Sequence, residues 1–182
     1  MAVKQIPNAL MAAANSFVAA DVAGILRERG WLGSEASPEQ NAWCERAASM
    51  LGPHAGGREA LADLLSLVFH YDAGEIMTKI SSHVVMSRYA ARDVLRQLAL
   101  LLLEGAPLTS ERFKEIVTFL KERLEIRGRE LFHPLRLALA GRAGEGELDR
   151  VILLLDEVAG LSFGVTVKTA RERVLEFCAA LD

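Results

Sequence analysis

The sequence predicts an all-α protein, and three observations support this fold class. Of the 182 residues, 51% are hydrophobic but only 6% are aromatic, and the apolar residues are mostly Leu, Ala and Val, a composition that favours helices. Apolar residues recur at helical spacing along the chain, whereas no strand-like alternation persists. Proline, glycine and capping residues divide these segments, so we expect helices joined by short connections. The length suits one core, or two small subdomains that share an interface.

Proline and glycine divide the first part of the chain into predicted helices. One helix is expected from about Ala9 to Gly30, with Gly30 as its C-terminal cap. The sequence Ser37-Pro38-Glu39-Gln40 predicts the start of a second helix, because serine caps well and proline suits the first turn. This helix should end at Gly52-Pro53. A third follows from Gly56-Gly57 to about Tyr71, and a shorter one passes through Ile76 and Ile80.

The second part of the chain carries longer predicted helices. One runs from about Ser87 to Glu104, and the next begins after a loop that ends in a capping Thr109 or Ser110. The last two are expected from Glu147 to Ala159 and from about Thr166 to Leu181. A short arginine-rich segment lies between the second and third of these four helices.

This segment, from Arg127 to Arg142, is the most informative part of the sequence. Pro134 suits the first position of a short helix, because its missing N–H would have no partner there, and Gly141 suits the left-handed position just past the helix end. Arg136 would then lie near the positive end of the helix dipole, where a cation is mildly unfavourable and often has an anionic partner. The segment is therefore a candidate surface for contacting phosphates or bases.

Five arginines are the candidate RNA-binding residues: Arg127, Arg129, Arg136, Arg142 and Arg150. The net charge is −3, so any RNA site must be a local patch and not a global basic field. Several carboxylates lie nearby in the sequence, Glu145 and Glu147 among them. A second interpretation therefore stays open at this point, in which the arginines form ordinary surface ion pairs that contribute little.

No pattern in the sequence indicates catalysis or metal binding. The histidines have no metal-site spacing, the stretch Ser81-Ser82-His83 has no placed carboxylate partner, and no glycine-rich phosphate loop occurs. We expect no metal and no cofactor. The four histidines are expected at the surface or its boundary, and the two cysteines in the core or at its boundary: His54, His70, His83 and His133, and Cys44 and Cys178.

The sequence also predicts a cytoplasmic protein without a membrane segment. The alanine-rich N-terminus lacks the basic and apolar regions of a signal peptide. The apolar run from Leu98 to Leu103 is too short to span a bilayer.

Two adjacent motifs identify a family. They read Gly128-Arg129-Glu130-Leu131-Phe132 and Pro134-Leu135-Arg136-Leu137-Ala138-Leu139-Ala140-Gly141-Arg142. This stretch resembles the C-terminal anticodon-binding region of bacterial glutamyl-tRNA synthetases, which typically shows basic-Gly-basic, Leu-Phe, Pro-Leu-Arg and Ala-Leu-Thr-Gly. The order of the predicted helices also agrees in outline, so the resemblance spans most of the chain, although only the motif is specific.

The resemblance implies an all-helical, two-part bundle that binds the anticodon loop of glutamate tRNA. We place the boundary between residues 1–78 and residues 79–182. Arg136 matches the family's arginine at the anticodon, and Arg127, Arg129 and Arg142 would flank it. The motifs of the synthetase's catalytic domain do not occur in this sequence, so we expect a non-catalytic tRNA-binding module. A separate synthetase catalytic domain is an expected second partner.

Departures from the family pattern leave an alternative open. Ala140 replaces the family's threonine, and the loop Glu145-Gly146-Glu147 is acidic where the family often has proline. The family's Leu-Gly at the end of the following helix reads Leu155-Asp156-Glu157. The alternative is a protein-interaction or regulatory module that kept the helical scaffold and lost RNA binding. An enzyme would need a site that the sequence does not show.

Overall fold

The computed structural model describes residues 16–182, and over this range the protein is all-α, as the sequence predicts. No strand occurs among the described residues. A short 3₁₀ turn, Gly52–His54, follows the second of the ten α-helices in this range. The helices are α1 (Ala19–Glu28), α2 (Pro38–Leu51), α3 (Arg58–Phe69), α4 (Ala73–Met77), α5 (Ile80–Met86), α6 (Ala91–Leu103), α7 (Ser110–Leu124), α8 (Arg129–Ala140), α9 (Glu147–Ala159) and α10 (Ala170–Ala180).

Local capping chemistry sets many of the helix ends, and most of these ends were predicted. The Ser37 hydroxyl accepts a hydrogen bond from the Gln40 N–H at 3.2 Å and caps α2. Thr109, rather than Ser110, caps α7 by accepting from the Arg112 N–H. Gly30 and Gly141 follow α1 and α8 with φ of 74° and 80°, the left-handed conformation that glycine adopts without strain.

Some predicted boundaries were wrong. The first helix begins at Ala19, and the part of the prediction from Ala9 to residue 15 lies outside the described residues. The expected helix through Ile76 and Ile80 is two helices, because Lys79 adopts an extended backbone between them. The helix predicted from about Ser87 begins at Ala91, because residues 87–90 form a turn ahead of α6. The last helix begins at Ala170 because Thr169 caps it.

The predicted position of Pro134 was also wrong. Helix α8 begins at Arg129, so Pro134 lies inside it, and Arg136 lies in its second half rather than at its positive end. Gly128 starts the helix with a φ of 57°, and its carbonyl accepts hydrogen bonds from the N–H groups of Leu131 and Phe132. Leu131 is fully buried, so packing against the core extends the helix on the N-terminal side of Pro134. The proline itself removes only one backbone hydrogen bond from the helix.

Helix α8 is the central helix of residues 79–182. It contacts α5, α6, α9 and α10, and α9 also packs against α2 and α3. Buried hydrophobic residues from both parts belong to one cluster. The boundary drawn at residues 78 and 79 falls between α4 and α5, and the division into two parts stays a prediction.

Arg173 is a buried cation that joins three helices. Its guanidinium donates hydrogen bonds to the carbonyl oxygens of Leu67 and Val68 in α3 and of Leu139 in α8, at 2.6–2.9 Å. These are last-turn carbonyls that have no partner within their own helices. The Tyr71 hydroxyl donates to the Ala138 carbonyl at 2.5 Å, and its ring lies 4.7 Å from the guanidinium. The negative ends of two helix dipoles therefore meet one buried positive charge.

Two further predictions concern the burial of the cysteines and the absence of a membrane-spanning helix. Cys44 is buried and Cys178 is half-buried, which confirms the expected core or boundary positions. Between residues 16 and 182, no helix has the length and apolar character needed to cross a membrane.

Candidate nucleic-acid interface

One face of α8 carries the side chains of Arg129, Phe132, His133 and Arg136, because residues three and four apart are neighbours on a helix. The turn between α5 and α6 brings Arg88 to this face. Lys121 approaches it from α7, with its Nζ atom 5.6 Å from the centre of the Phe132 ring. Three elements thus supply cations to one surface, and the turn that carries Arg88 is distant in sequence from the other two.

Arg88, Arg129 and His133 form what we call the arginine cluster. The Arg88 Nη1 atom donates to the His133 Nδ1 atom at 2.8 Å and to the Arg129 carbonyl oxygen at 3.4 Å. The exposed guanidinium of Arg129 lies 3.9 Å from the equally exposed Glu145 carboxylate, a contact that contributes little. Positive charge therefore exceeds negative charge in the cluster.

The electrostatic environment of His133 reflects this excess. Partial burial lowers its pKa most, and the charges of Arg88, Arg129 and Arg136 lower it further, against one raising contribution from Glu145. His133 is therefore a neutral imidazole at pH 7, and its Nδ1 atom is free to accept the hydrogen bond from Arg88.

Arg136 has its anionic partner inside the protein. Its Nε and Nη2 atoms donate to both carboxylate oxygens of Asp149 at 2.8 and 3.0 Å, and its Nη1 atom donates to the Gly144 carbonyl at 2.8 Å. The guanidinium also lies 4.6 Å from the centre of the Phe132 ring. Only 8% of the residue is exposed. Arg136 thus fastens the loop between α8 and α9 onto α8.

The other three predicted arginines lie apart from the cluster. Arg142, at the opposite end of α8, donates to both carboxylate oxygens of Asp63 in α3 at 2.8 and 3.2 Å. These hydrogen bonds are the main reason for the lowered pKa of Asp63. Arg127 is exposed and lines an open groove with Lys121 and Gly128. Arg150 is exposed on α9.

Sequence reasoning missed Arg88 and Lys121. Arg88 lies 45 residues before its partner His133, and no local pattern links two positions at that separation. Ala140, which replaces the family's threonine, is buried. Among the described residues, no three side chains of metal-ligating type come together.

The family model of the anticodon binding domain matches residues 10–157. This range is most of the chain and includes all five predicted arginines, so the chain belongs to the anticodon binding domain family. It is similar to Glutamate--tRNA ligase 2 of Syntrophus aciditrophicus (strain SB), with 27% identity over 125 residues, which are 69% of this chain and 25% of that ligase. The matched region thus spans about a quarter of that relative's length. No solved structure matches the chain. These matches confirm the resemblance to a glutamyl-tRNA synthetase anticodon-binding region.

Proposed function

We propose that this protein binds tRNA and contacts its anticodon loop, with glutamate tRNA as the preferred partner. The observation that carries the proposal is the family match over residues 10–157. The relative's name as a glutamate–tRNA ligase supports the choice of tRNA. The arginine cluster supports a site for phosphates, since its guanidinium groups are incompletely neutralised by carboxylates.

The five predicted arginines and Arg88 take different parts in this proposal. Arg88 and Arg129 contact phosphates of the anticodon loop directly, and the exposed Arg127 and Arg150 supply further positive charge outside the cluster. Arg142 contributes positive charge through its half-exposed guanidinium, which forms an ion pair with Asp63. Arg136 supports the site by holding the α8–α9 loop, and a direct contact with RNA requires it to exchange the Asp149 carboxylate for a phosphate or base.

We also propose that the protein does not itself aminoacylate tRNA. The matched region covers a quarter of the related ligase, and the sequence lacks the nucleotide-binding motifs of the synthetase catalytic domain. Attachment of the amino acid then falls to a separate catalytic domain, acting in the cytoplasm on tRNA that this protein holds.

Filter binding tests the proposal, with glutamate tRNA, an unrelated tRNA and a series of salt concentrations. Affinity is expected to fall steeply with salt, because bound phosphates release condensed counterions. Arg88→Ala and Arg129→Ala are each expected to weaken binding to both tRNAs and to reduce the magnitude of the salt slope by about one. Arg171→Ala is the matched control, since this exposed arginine lies beside Gly105, past the far end of α6.

The outcomes separate the parts of the proposal. Absence of binding to either tRNA at about 50 mM salt contradicts the proposed function and favours an interaction module that has lost RNA binding. Equal affinity for the two tRNAs keeps tRNA binding and rejects the preference for glutamate tRNA.

A further inference from the structure

Tyr89 is the most exposed large hydrophobic residue among those described. Its exposure is 101% of the reference value, so its ring makes almost no contact with the rest of the protein. It lies in the turn between α5 and α6, directly after Arg88 of the arginine cluster. A tyrosine ring gains free energy by burial, so full exposure beside a cationic site indicates a surface that a partner covers.

The backbone on both sides of Tyr89 is anchored. The Arg88 carbonyl accepts a hydrogen bond from the Ala91 N–H at 3.2 Å, which closes the turn around Tyr89. The Arg88 side chain is bonded to His133 and to the Arg129 carbonyl, and Ala91 is fully buried. The turn thus holds the ring outward on a fixed base, and only two side-chain torsions have to be ordered when a partner binds.

We propose that Tyr89 is a stacking platform for an unpaired base of the bound RNA, while Arg88 and Arg129 hold a neighbouring phosphate. This inference rests on the proposed function and adds a contact that the five predicted arginines do not supply. Bases in RNA loops are unstacked and bind to aromatic rings. Such stacking tolerates any base, because every base has a π-face.

The neighbouring cations favour RNA over a protein as the partner. Ile80 and Val84 on α5 are also exposed, at 82% and 54%, and would suit an apolar protein contact. However, Arg88 of the cluster directly precedes Tyr89 in the chain and is bonded to the Arg129 carbonyl, and a phosphate close to a stackable base is the arrangement that RNA presents.

Substitution of Tyr89 tests the inference in the full chain, with an anticodon stem-loop of glutamate tRNA that carries 2-aminopurine at an unpaired position. Tyr89→Ala is expected to weaken binding by about tenfold, within a range of roughly fivefold to a hundredfold, and Tyr89→Phe to keep wild-type affinity. The salt slope of Tyr89→Ala should equal that of the wild type, whereas Arg88→Ala reduces it. At saturating protein, the 2-aminopurine fluorescence should change with wild type and Tyr89→Phe but not with Tyr89→Ala.

Leu103→Ala is the matched control, because Leu103 is an exposed apolar residue at the other end of α6, about 20 Å from the turn. Thermal melting by circular dichroism verifies that each variant is folded. If wild type binds RNA and Tyr89→Ala binds equally well, or if Tyr89→Phe is as weak as Tyr89→Ala, the stacking role is overturned while the proposed function stands. If wild type does not bind any RNA at low salt, both are overturned.

Discussion

At the scale of single residues, the protonation of His133 is linked to folding, and we expect it to be linked to RNA binding as well. Arg88, Arg129 and Arg136 face it with positive charge and Glu145 with negative charge, and together with burial they lower its pKa. The unfolded chain therefore takes up this proton first as the pH falls below about 6.5. It follows that the contribution of His133 to folding stability is full above that pH and is lost as the pH falls through this range.

RNA binding should depend on pH in the opposite direction. A phosphate held by Arg88 and Arg129 stabilises a positive imidazole and frees the Nδ1 atom of His133 from its bond with Arg88, so the pKa of His133 rises in the complex. Binding then takes up a proton. The affinity of the wild type is expected to increase by roughly threefold to tenfold between about pH 8 and about pH 6, measured by filter binding at constant salt.

His133→Asn is the control for this prediction, because it keeps a polar side chain that does not titrate. Its affinity should vary less with pH than that of the wild type. The other three histidines are present in both proteins and contribute equally. An identical pH dependence for wild type and His133→Asn would show that His133 does not take up the proton.

From the sequence, the residue types of the arginine-rich segment were identified, but the environment of each side chain was not. An anionic partner for Arg136 was expected because it was placed at the helix start; the structure places it in the second half of α8 and pairs it with Asp149 of the same chain. Arg136 is buried between Phe132, Asp149 of α9 and the Gly144 carbonyl of the α8–α9 loop, and no local pattern records these tertiary contacts. The pairing of Arg88 with His133 could not be predicted from the sequence for the same reason.

At the scale of secondary-structure elements, helix ends with local causes were predictable. Ser37 and Gly141 act through neighbouring backbone groups, and both were identified from sequence. The start of α8 was misplaced because Pro134 is a strong local indicator, whereas burial of Leu131, a tertiary effect, decides that the helix begins earlier. Local chemistry therefore predicts a helix end reliably only where packing does not compete with it.

Substitution of Gly164 tests the close approach of the loop between α9 and α10 to the loop after α1. Its N–H donates to the Trp31 carbonyl at 2.7 Å, and a Cβ atom at Gly164 would lie 2.6 Å from the Gly30 carbonyl oxygen. Gly164→Ala is expected to lower the free energy of unfolding by about 1–3 kcal/mol, because backbone must move on one side of the contact. Gly33→Ala, where nothing lies within 4 Å of the added Cβ, should change it by less than about 0.5 kcal/mol.

Urea denaturation followed by circular dichroism measures both glycine variants. Equal unfolding midpoints for Gly164→Ala and Gly33→Ala would mean that the two loops move apart without lowering the free energy of unfolding.

At the scale of the whole molecule, α9 and Arg173 connect the two expected parts. Helix α9 packs on α2, α3 and α8, and Arg173 in α10 donates to carbonyls of α3 and α8. Both tryptophans, Trp31 and Trp43, lie in the first part, and the Trp43 ring packs against Phe163 of the second part, with ring centres 5.5 Å apart. Their fluorescence therefore reports on the first part and on this contact, while circular dichroism reports on all helices. We expect the two signals to follow one unfolding transition, which a pair of independent domains would not show.

Arg173→Met is the sharpest test of this connection. Methionine keeps an unbranched apolar stem but leaves the buried carbonyls of Leu67, Val68 and Leu139 without their donor, and each unsatisfied buried group costs about 1–3 kcal/mol. We expect a loss of at least about 3 kcal/mol in the free energy of unfolding by urea denaturation. Arg171→Met, at an exposed position two residues earlier, should lose less than about 0.5 kcal/mol. If the two variants unfold at the same urea concentration, the carbonyls of α3 and α8 do not depend on Arg173, and the other contacts between the two parts hold them together without it.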